Sequence, residues 1–373
     1  MIKCPTDECV GCAGCSYVCP TGAIVMKENY EGFQYPIVIT KKCINCNQCN
    51  EVCPALNSNM LIDNPDCYAV QLLNKENLKN CASGGAFFGI AAHIIRNGGA
   101  VFGVMDQGRE LEYIKIEKEE ELVLISKSKY YQCEIDNAVF EEIKESSKEK
   151  KVLLSGTPCM IASFKKQMSF NQDNIITFEI ICQGVPSKLV IDKFYSEKES
   201  KKQSKIASHD FRSKDRFVGR NYLNKYVYQS GAEDYYVGEK DALSLSFQRQ
   251  IFLRESCYKC KFAQERRIAD FTGGDLWNKS ILKKIDFKLG CSVLLCNTEI
   301  SHKIIDECYL LNKERINVKD ALSDNLPFHK SVDRPRCRNY SYKLLRSRVN
   351  PSSVTIICCT KYYIKQLLSG KKR

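Results

Sequence analysis

A doubled cysteine pattern near the amino terminus constrains this chain more than any other feature. Cys9-x2-Cys12-x2-Cys15-x3-Cys19-Pro20 recurs as Cys43-x2-Cys46-x2-Cys49-x3-Cys53-Pro54. Three thiolates stepped every three residues along a tight loop converge on one iron–sulfur cubane. The fourth lies too far along to close the same cube, and in two-cluster ferredoxins it crosses to the other cluster. The spacing therefore assigns Cys9, Cys12, Cys15 and Cys53 to one [4Fe–4S] cluster, and Cys43, Cys46, Cys49 and Cys19 to the second. Pro20 and Pro54 end the two loops by fixing φ and withholding a donor. Zinc sites use paired Cys-x2-Cys units rather than this run, and chance would have to produce the run twice. Residues 1–58 are expected to form a ferredoxin-like two-cluster module.

The chain has 22 cysteines in 373 residues. So long a chain needs more than one core, which sets it apart from short secreted disulfide scaffolds. The opening Met-Ile-Lys-Cys-Pro lacks the basic-then-apolar pattern of a signal peptide, and no run of about 18 apolar residues would span a bilayer. A reducing cytoplasm is the compartment expected. Of the net charge of +12, residues 331–373 supply +10, from 11 Lys or Arg against the single acid Asp333. The simpler reading of residues 336–373 is a solvated basic tail; peripheral contact with anionic lipid is the alternative. No aromatic-plus-basic groove accompanies the charge, so nucleic acid is not an expected partner.

Between Asn57 and Asp66 the chain reads as a polar linker. Beyond it, strands are expected at Tyr68–Leu73, Ala100–Val104, Val152–Ser155 and Ile175–Ile181. Helical patterns cover Phe87–Ile95, Lys144–Lys151 and Met160–Gln167, with Ser83 as N-cap of the first. Alternation of this kind makes residues 67–200 an α/β unit. From about Ser204 the pattern loosens into short Tyr-rich strands, and residues 201–335 are read as α+β. The fold class is thus a ferredoxin-like module followed by a mixed α/β region. Ala82-Ser83-Gly84-Gly85 at a helix start offers backbone N–H groups to an anion, a weak signal alone. Cys159 and Cys182 follow strands, where ligands collect in open α/β sheets, and Cys257-x2-Cys260 would complete four thiolates. On spacing alone these four are a third cluster, a zinc site or buried core cysteines.

Taken together, Cys81-Ala82-Ser83-Gly84-Gly85, Ser128-Lys129-Tyr130, Ser155-Gly156-Thr157-Pro158-Cys159, Cys182-Gln183-Gly184-Val185-Pro186, Phe211-Arg212-Ser213-Lys214, Cys257-Tyr258-Lys259-Cys260 and Gly274-Asp275-Leu276-Trp277 resemble one family. It is that of the beta subunits of coenzyme F420-reducing hydrogenases and dehydrogenases, in the bacterial form with a fused ferredoxin. The resemblance implies FAD beside a third [4Fe–4S] cluster on Cys159, Cys182, Cys257 and Cys260. It places Ser83, Gly84, Gly85, Lys129, Tyr130, Thr157, Arg212 and Lys214 at the flavin or its substrate. Met160, Lys127, Ser213, Arg220 and Asn278 depart from the family pattern. Those departures spare the cluster ligands and leave the acceptor open between an F420-like molecule and a polysaccharide- or isoprenoid-pathway substrate.

The function expected is an iron–sulfur flavoprotein oxidoreductase that relays single electrons to FAD and on to a small-molecule acceptor, or the reverse. Its partner would be a redox protein, either a ferredoxin or an oxidoreductase subunit. The rival is an electron-transfer adaptor without a flavin, docked on a partner enzyme. No catalytic acid or base is assigned. His93 reads as a core residue, His209 beside Arg212 as the one histidine worth testing, and Asp270 and Asp275 as turn formers.

Overall fold

A computed structural model of the chain describes residues 2–57, 62, 65–168, 172–215, 223–282 and 285–368. Of the expected linker, residues 58–61 and 63–64 lie outside the described residues, as does Arg220. The fold is mixed α/β with a ferredoxin-like module at the amino terminus. In that module β1 (Ile24–Glu28) and β2 (Gln34–Val38) pair antiparallel, with Ile24 opposite Val38. Asn29 shapes the turn between them, its Oδ1 accepting from the N–H groups of Glu31 and Phe33 at 3.0 Å. One-turn helices at Gly14–Tyr17 and Gln48–Glu51 carry the third cysteine of each repeat.

The body is an eight-stranded sheet. Its first strands are β3 (Asp66–Leu72), β4 (Ala100–Asp106), β5 (Leu111–Ile116), β6 (Val152–Gly156) and β7 (Ile175–Ile180). β3, β4, β6 and β7 match the expected strands, because runs of Val, Ile and Leu bounded by turns suit buried positions, whereas β5 is not among those expected. A three-stranded antiparallel sheet of β8 (Ile206–Ser213), β9 (Leu223–Tyr228) and β10 (Glu233–Val237) follows. The chain then returns to the large sheet with β11 (Phe271–Asp275), β12 (Ser292–Cys296) and β13 (Leu311–Arg315).

The large sheet's order is β13-β3-β12-β11-β7-β6-β4-β5. β4, β6, β7 and β11 run parallel, and β11 pairs with β7 at Phe271 opposite Phe178. β11, β12 and β13, from residues 201–335, thus join strands from residues 67–200 in one sheet. The parallel run matters for the site. It brings the carboxyl ends of β6, β7 and β11 to one edge of the sheet, where Cys159 and Cys182 follow directly.

The basic carboxyl-terminal segment also departs from the sequence reading. Helices Arg338–Leu345 and Pro351–Leu368 form there, and Tyr342, Leu345, Val354 and Cys358 are buried. Its arginines meet carboxylates: Arg338 reaches Glu31 at 2.6 Å and Glu255 at 3.0 Å, and Arg334 reaches Glu255 at 2.6 Å. Residues 369–373 lie outside the described residues. No helix among the described residues is long and apolar enough to cross a membrane.

Glu179 on β7 and Arg267 form a fully buried ion pair at 2.6 Å. Arg267 also donates to the Gln264 carbonyl, and Thr272 Oγ1 donates to Glu179. Arg267→Met would strand the carboxylate, and breaking such a pair costs about 3–5 kcal/mol. Anaerobic denaturant unfolding is expected to show that loss as a lower midpoint with little change in slope.

Candidate electron-transfer and cofactor site

The cluster loops are built on unusual backbone. Gly11 and Ala13, on either side of Cys12, have φ of 70° and 58°. Asn45 and Asn47, at the equivalent positions around Cys46, have φ of 53° and 69°. Left-handed residues alternating with cysteines turn successive thiols and N–H groups toward one centre, as in anion-binding nests. Such strain persists only where the surroundings enforce it. The thiols group in the crossed pattern. Cys15 lies among the charges of Cys12, Cys9 and Cys53, with Cys49 of the other set also within reach, and Cys49 lies beside Cys46 and Cys19. Cys19, Cys43, Cys46 and Cys49 line a small cavity together. Cys4, which the sequence reading left unassigned, adjoins Cys9 and Cys53.

Buried polar atoms test whether a cluster fits the first set. Ser163 Oγ and both amide atoms of Gln167 have no hydrogen-bond partner among the described residues. A Cβ on Gly14 would lie 2.7 Å from Gln167 Nε2, 2.9 Å from Ser163 Oγ and 3.7 Å from Cys12 Sγ. Donors so placed suit hydrogen bonds to the sulfurs of a cubane, so the residues fit one. Ser163 and Gln167 stand four and eight residues after Cys159 on the helix Pro158–Gln167, so the three share one face. That spacing from a candidate ligand was the signal available in sequence for both.

Cys159 opens that helix directly after β6, Cys182 follows β7, and Cys257 and Cys260 come from the loop beyond Arg254. All four line one cavity of about 660 Å³. Burial pushes the Cys159 and Cys257 thiols up to about 12, with the charge of Cys260 adding to each. Cys182 is raised further, by burial and then by Cys257, Cys159 and Cys260. Among the described residues no group of three or more His, Cys, Asp or Glu is placed to hold a single metal ion. Four thiolates on the wall of one cavity are a donor set whose chemistry suits a cubane. Cys12 is near enough for its charge to act on Cys159, which sets the first ferredoxin site next to this one.

The same cavity is lined by Ser83, Gly85, Lys129, Tyr130, Thr157 and Arg212. Lys129 Nζ donates to the Ser126 carbonyl at 2.5 Å, and burial holds its ammonium down at about 8. Tyr130 packs edge-on to Phe211 and against Phe247 with centroids 4.7 Å apart. Arg212 pairs with Asp275 at 2.7 Å, and Thr157 Oγ1 lies 3.3 Å from Cys159 Sγ. Lys127 has φ of 67°, a conformation that favours glycine, and it pairs with Asp210 at 2.6 Å.

Two expected contacts fall elsewhere. Gly84 backs onto the sheet, where a Cβ would lie 2.3 Å from Val70 O and Ser292 N. Lys214 Nζ donates to the carbonyls of Leu78 and Ser83 at 2.9 and 2.5 Å, bracing the Ser83 loop rather than facing the cavity. The helix Ala86–Arg96 starts from Gly85 at φ 80°, not from Ser83, whose hydroxyl donates to Cys291 O.

His209 is a core residue. It bonds Tyr195 and Asn224, stacks on Tyr226, and burial pushes its pKa down to about 3. His93 is only half-buried. Asp270 ties β7, through Thr177, to Thr298 at the start of the helix Glu299–Glu307 rather than shaping a turn. Sequence reasoning missed Arg254, which is buried and donates to Cys9 O at 2.7 Å and Gln34 O at 2.9 Å.

Comparison with known proteins gives two domains. Residues 149–323 match the family model for the C terminus of the coenzyme F420 hydrogenase/dehydrogenase beta subunit. Residues 8–57 match that of the 4Fe-4S dicluster domain. Among solved structures, a chain of the F420-reducing [NiFe] hydrogenase complex from Methanosarcina barkeri is similar in fold. It has 12% identity and a TM-score of 0.50, covering 80% of this chain and 93% of that one. No curated protein matches the sequence.

Proposed function

We propose that this chain, an iron–sulfur electron-transfer protein related to the coenzyme F420 hydrogenase/dehydrogenase beta subunit and carrying a 4Fe-4S dicluster domain, is a flavin-dependent oxidoreductase. One observation carries the reading. A single cavity of about 660 Å³ has on its walls both the four cysteines of the third set and six of the eight residues assigned to a flavin. That volume suits a cofactor-sized ligand. Cubanes pass one electron at a time, and a flavin, when bound, joins that to the two-electron chemistry of organic acceptors.

The chain's own residues supply the setting. Cys9, Cys12, Cys15 and Cys53 hold the cluster nearer the cavity; Cys43, Cys46, Cys49 and Cys19 hold the outer one; Cys159, Cys182, Cys257 and Cys260 hold the third. Tyr130, Phe247 and Phe178 give the cavity aromatic walls, and the half-buried Lys129 lies among the lining residues. Arg212, braced by Asp275, offers a fixed guanidinium to phosphate or carboxylate. Trp277, on the cavity wall and 49% exposed, is an aromatic surface for the small-molecule acceptor, F420-like or from a polysaccharide or isoprenoid pathway.

Anaerobic purification followed by iron, sulfide and flavin assay is expected to find about twelve irons and one flavin per chain, at four irons per cubane. About eight irons and no flavin would instead establish the adaptor reading, in which the chain only ferries electrons to a partner enzyme.

A further inference from the structure

Resting on the electron-transfer reading of the two amino-terminal clusters, we propose that the exposed loop around Cys46, with Lys41, Lys42 and Ile44 on it, docks an acidic one-electron carrier protein. The two cluster sites differ sharply in access. Cys12 is buried and its loop is covered by Ser163, Gln167 and Arg254. The second loop is open: Cys46 is exposed, as are Lys41, Lys42 and residues 44–48. With the first set next to Cys159 and the second opening outward, electrons exchanged with another protein cross at the second.

The composition of this face fits a protein partner. Ile44 on this loop is 63% exposed, and Ile37 and Ile39 on the segment leading into it are 47% and 36% exposed. Exposed aliphatic side chains beside an open cluster loop suit an interaction surface. Charge selects the kind of partner. From Gln34 to Asn50 there are two lysines and no Asp or Glu, and from Pro20 to Lys27 one lysine and no acid, with Glu28 and Glu51 bounding these stretches. Lys259 and Lys261 near the first set are occupied by Asp7 and Glu8 at 2.6 and 2.8 Å. Lys41 and Lys42 enter no ion pair among the described residues. An exposed loop with apolar and uncommitted basic side chains at a cluster site complements an acidic carrier. Small low-potential ferredoxins have that chemistry.

The test is stopped-flow reduction of the full-length, cluster-loaded chain by a reduced acidic two-cluster ferredoxin, compared with reduction by methyl viologen radical. Lys41→Glu combined with Lys42→Glu is expected to slow the ferredoxin reaction at least about 10-fold at low salt, the scale of electrostatic steering. At about 0.5 M salt, where the screening length is a few ångströms, the deficit should shrink to about twofold. Lys41→Arg with Lys42→Arg should keep the native rate, and Ile44→Asp should slow the ferredoxin reaction at either salt. Methyl viologen, too small to need docking, should reduce all variants alike, and equal iron content shows that each is intact. An unchanged ferredoxin rate in the charge-reversed variant, with viologen reduction normal, overturns the docking face and leaves the cluster reading standing. A native chain that holds no iron overturns both.

Discussion

Changing Cys182 and Cys257 together to serine is expected to lower the iron content from about twelve to about eight atoms per chain, one cubane of four. The two residues come from distant parts of the sequence, one following β7 and the other in the loop after Arg254. Burial penalises both thiolates, and neighbouring cysteines penalise them further, so four such charges need a strongly cationic centre beside them. The amino-terminal clusters share no ligand with this set. Their signal on reduction, followed by EPR, should persist while the third disappears. Flavin should remain bound, since Lys129, Tyr130 and Arg212 are untouched, but its reduction through the clusters should slow by orders of magnitude. Cys133→Ala removes a half-buried thiol assigned to no cluster and should leave iron unchanged. Twelve irons in the double variant would remove the third cluster from the proposal.

The contrast between those two cysteine groups explains what could be read before any coordinates. The amino-terminal loops are local: eight cysteines within 45 residues dictate their own geometry, and even the residues forced to positive φ sit at fixed offsets from them. Strands β3, β4, β6 and β7 were legible for a related reason, since short apolar runs between turns suit few other structures. β11 carried no such signal. Phe271-Thr272-Gly273-Gly274-Asp275 has two glycines and one acid, and its place between β7 and β12 comes from long-range pairing. Gly273 is needed there, because a Cβ would meet the Phe178 ring at 2.6 Å.

Charged side chains misled most. Lys214 and Arg212 sit two residues apart on one extended segment, yet only Arg212 lines the cavity; Lys214 ends on carbonyls of the Ser83 loop. Arg254, Arg267 and Arg338 are among the largest fully buried side chains, against the usual surface habit of arginine. Each has several acceptors converging on it, a satisfaction that composition cannot reveal. The basic carboxyl-terminal segment read as solvated for the same reason: its carboxylate partners, Glu31 and Glu255, lie hundreds and tens of residues away.

Arg254→Met is expected to destabilise the chain and to lower the potential of the first ferredoxin cluster, two effects with separate causes. The guanidinium donates to Cys9 O at 2.7 Å, Gln34 O at 2.9 Å and Gln132 Oε1 at 3.1 Å, and covers the Tyr35 ring at 4.2 Å. Its backbone accepts from Cys257 N–H and donates to Val185 O. One residue thus ties the first ferredoxin loop to the loop carrying a ligand of the third set. Methionine fills the space but leaves three acceptors without donors, at about 1–3 kcal/mol each, so a loss of about 3 kcal/mol or more is expected in anaerobic unfolding. The potential effect follows from charge. The Cys9 thiol is held low, at about 6, first by its hydrogen bond with Cys4 and also, against burial, by the Arg254 charge. The same cation favours the more negative reduced cluster, so removing it makes reduction harder and the midpoint falls. Arg254→Lys keeps the charge but loses the planar fork. It should therefore hold the midpoint near the native value while sharing most of the stability loss, which separates the two causes in one experiment. EPR-monitored redox titration of all three proteins decides the matter: a methionine variant with an unshifted midpoint would reduce Arg254 to a structural clamp.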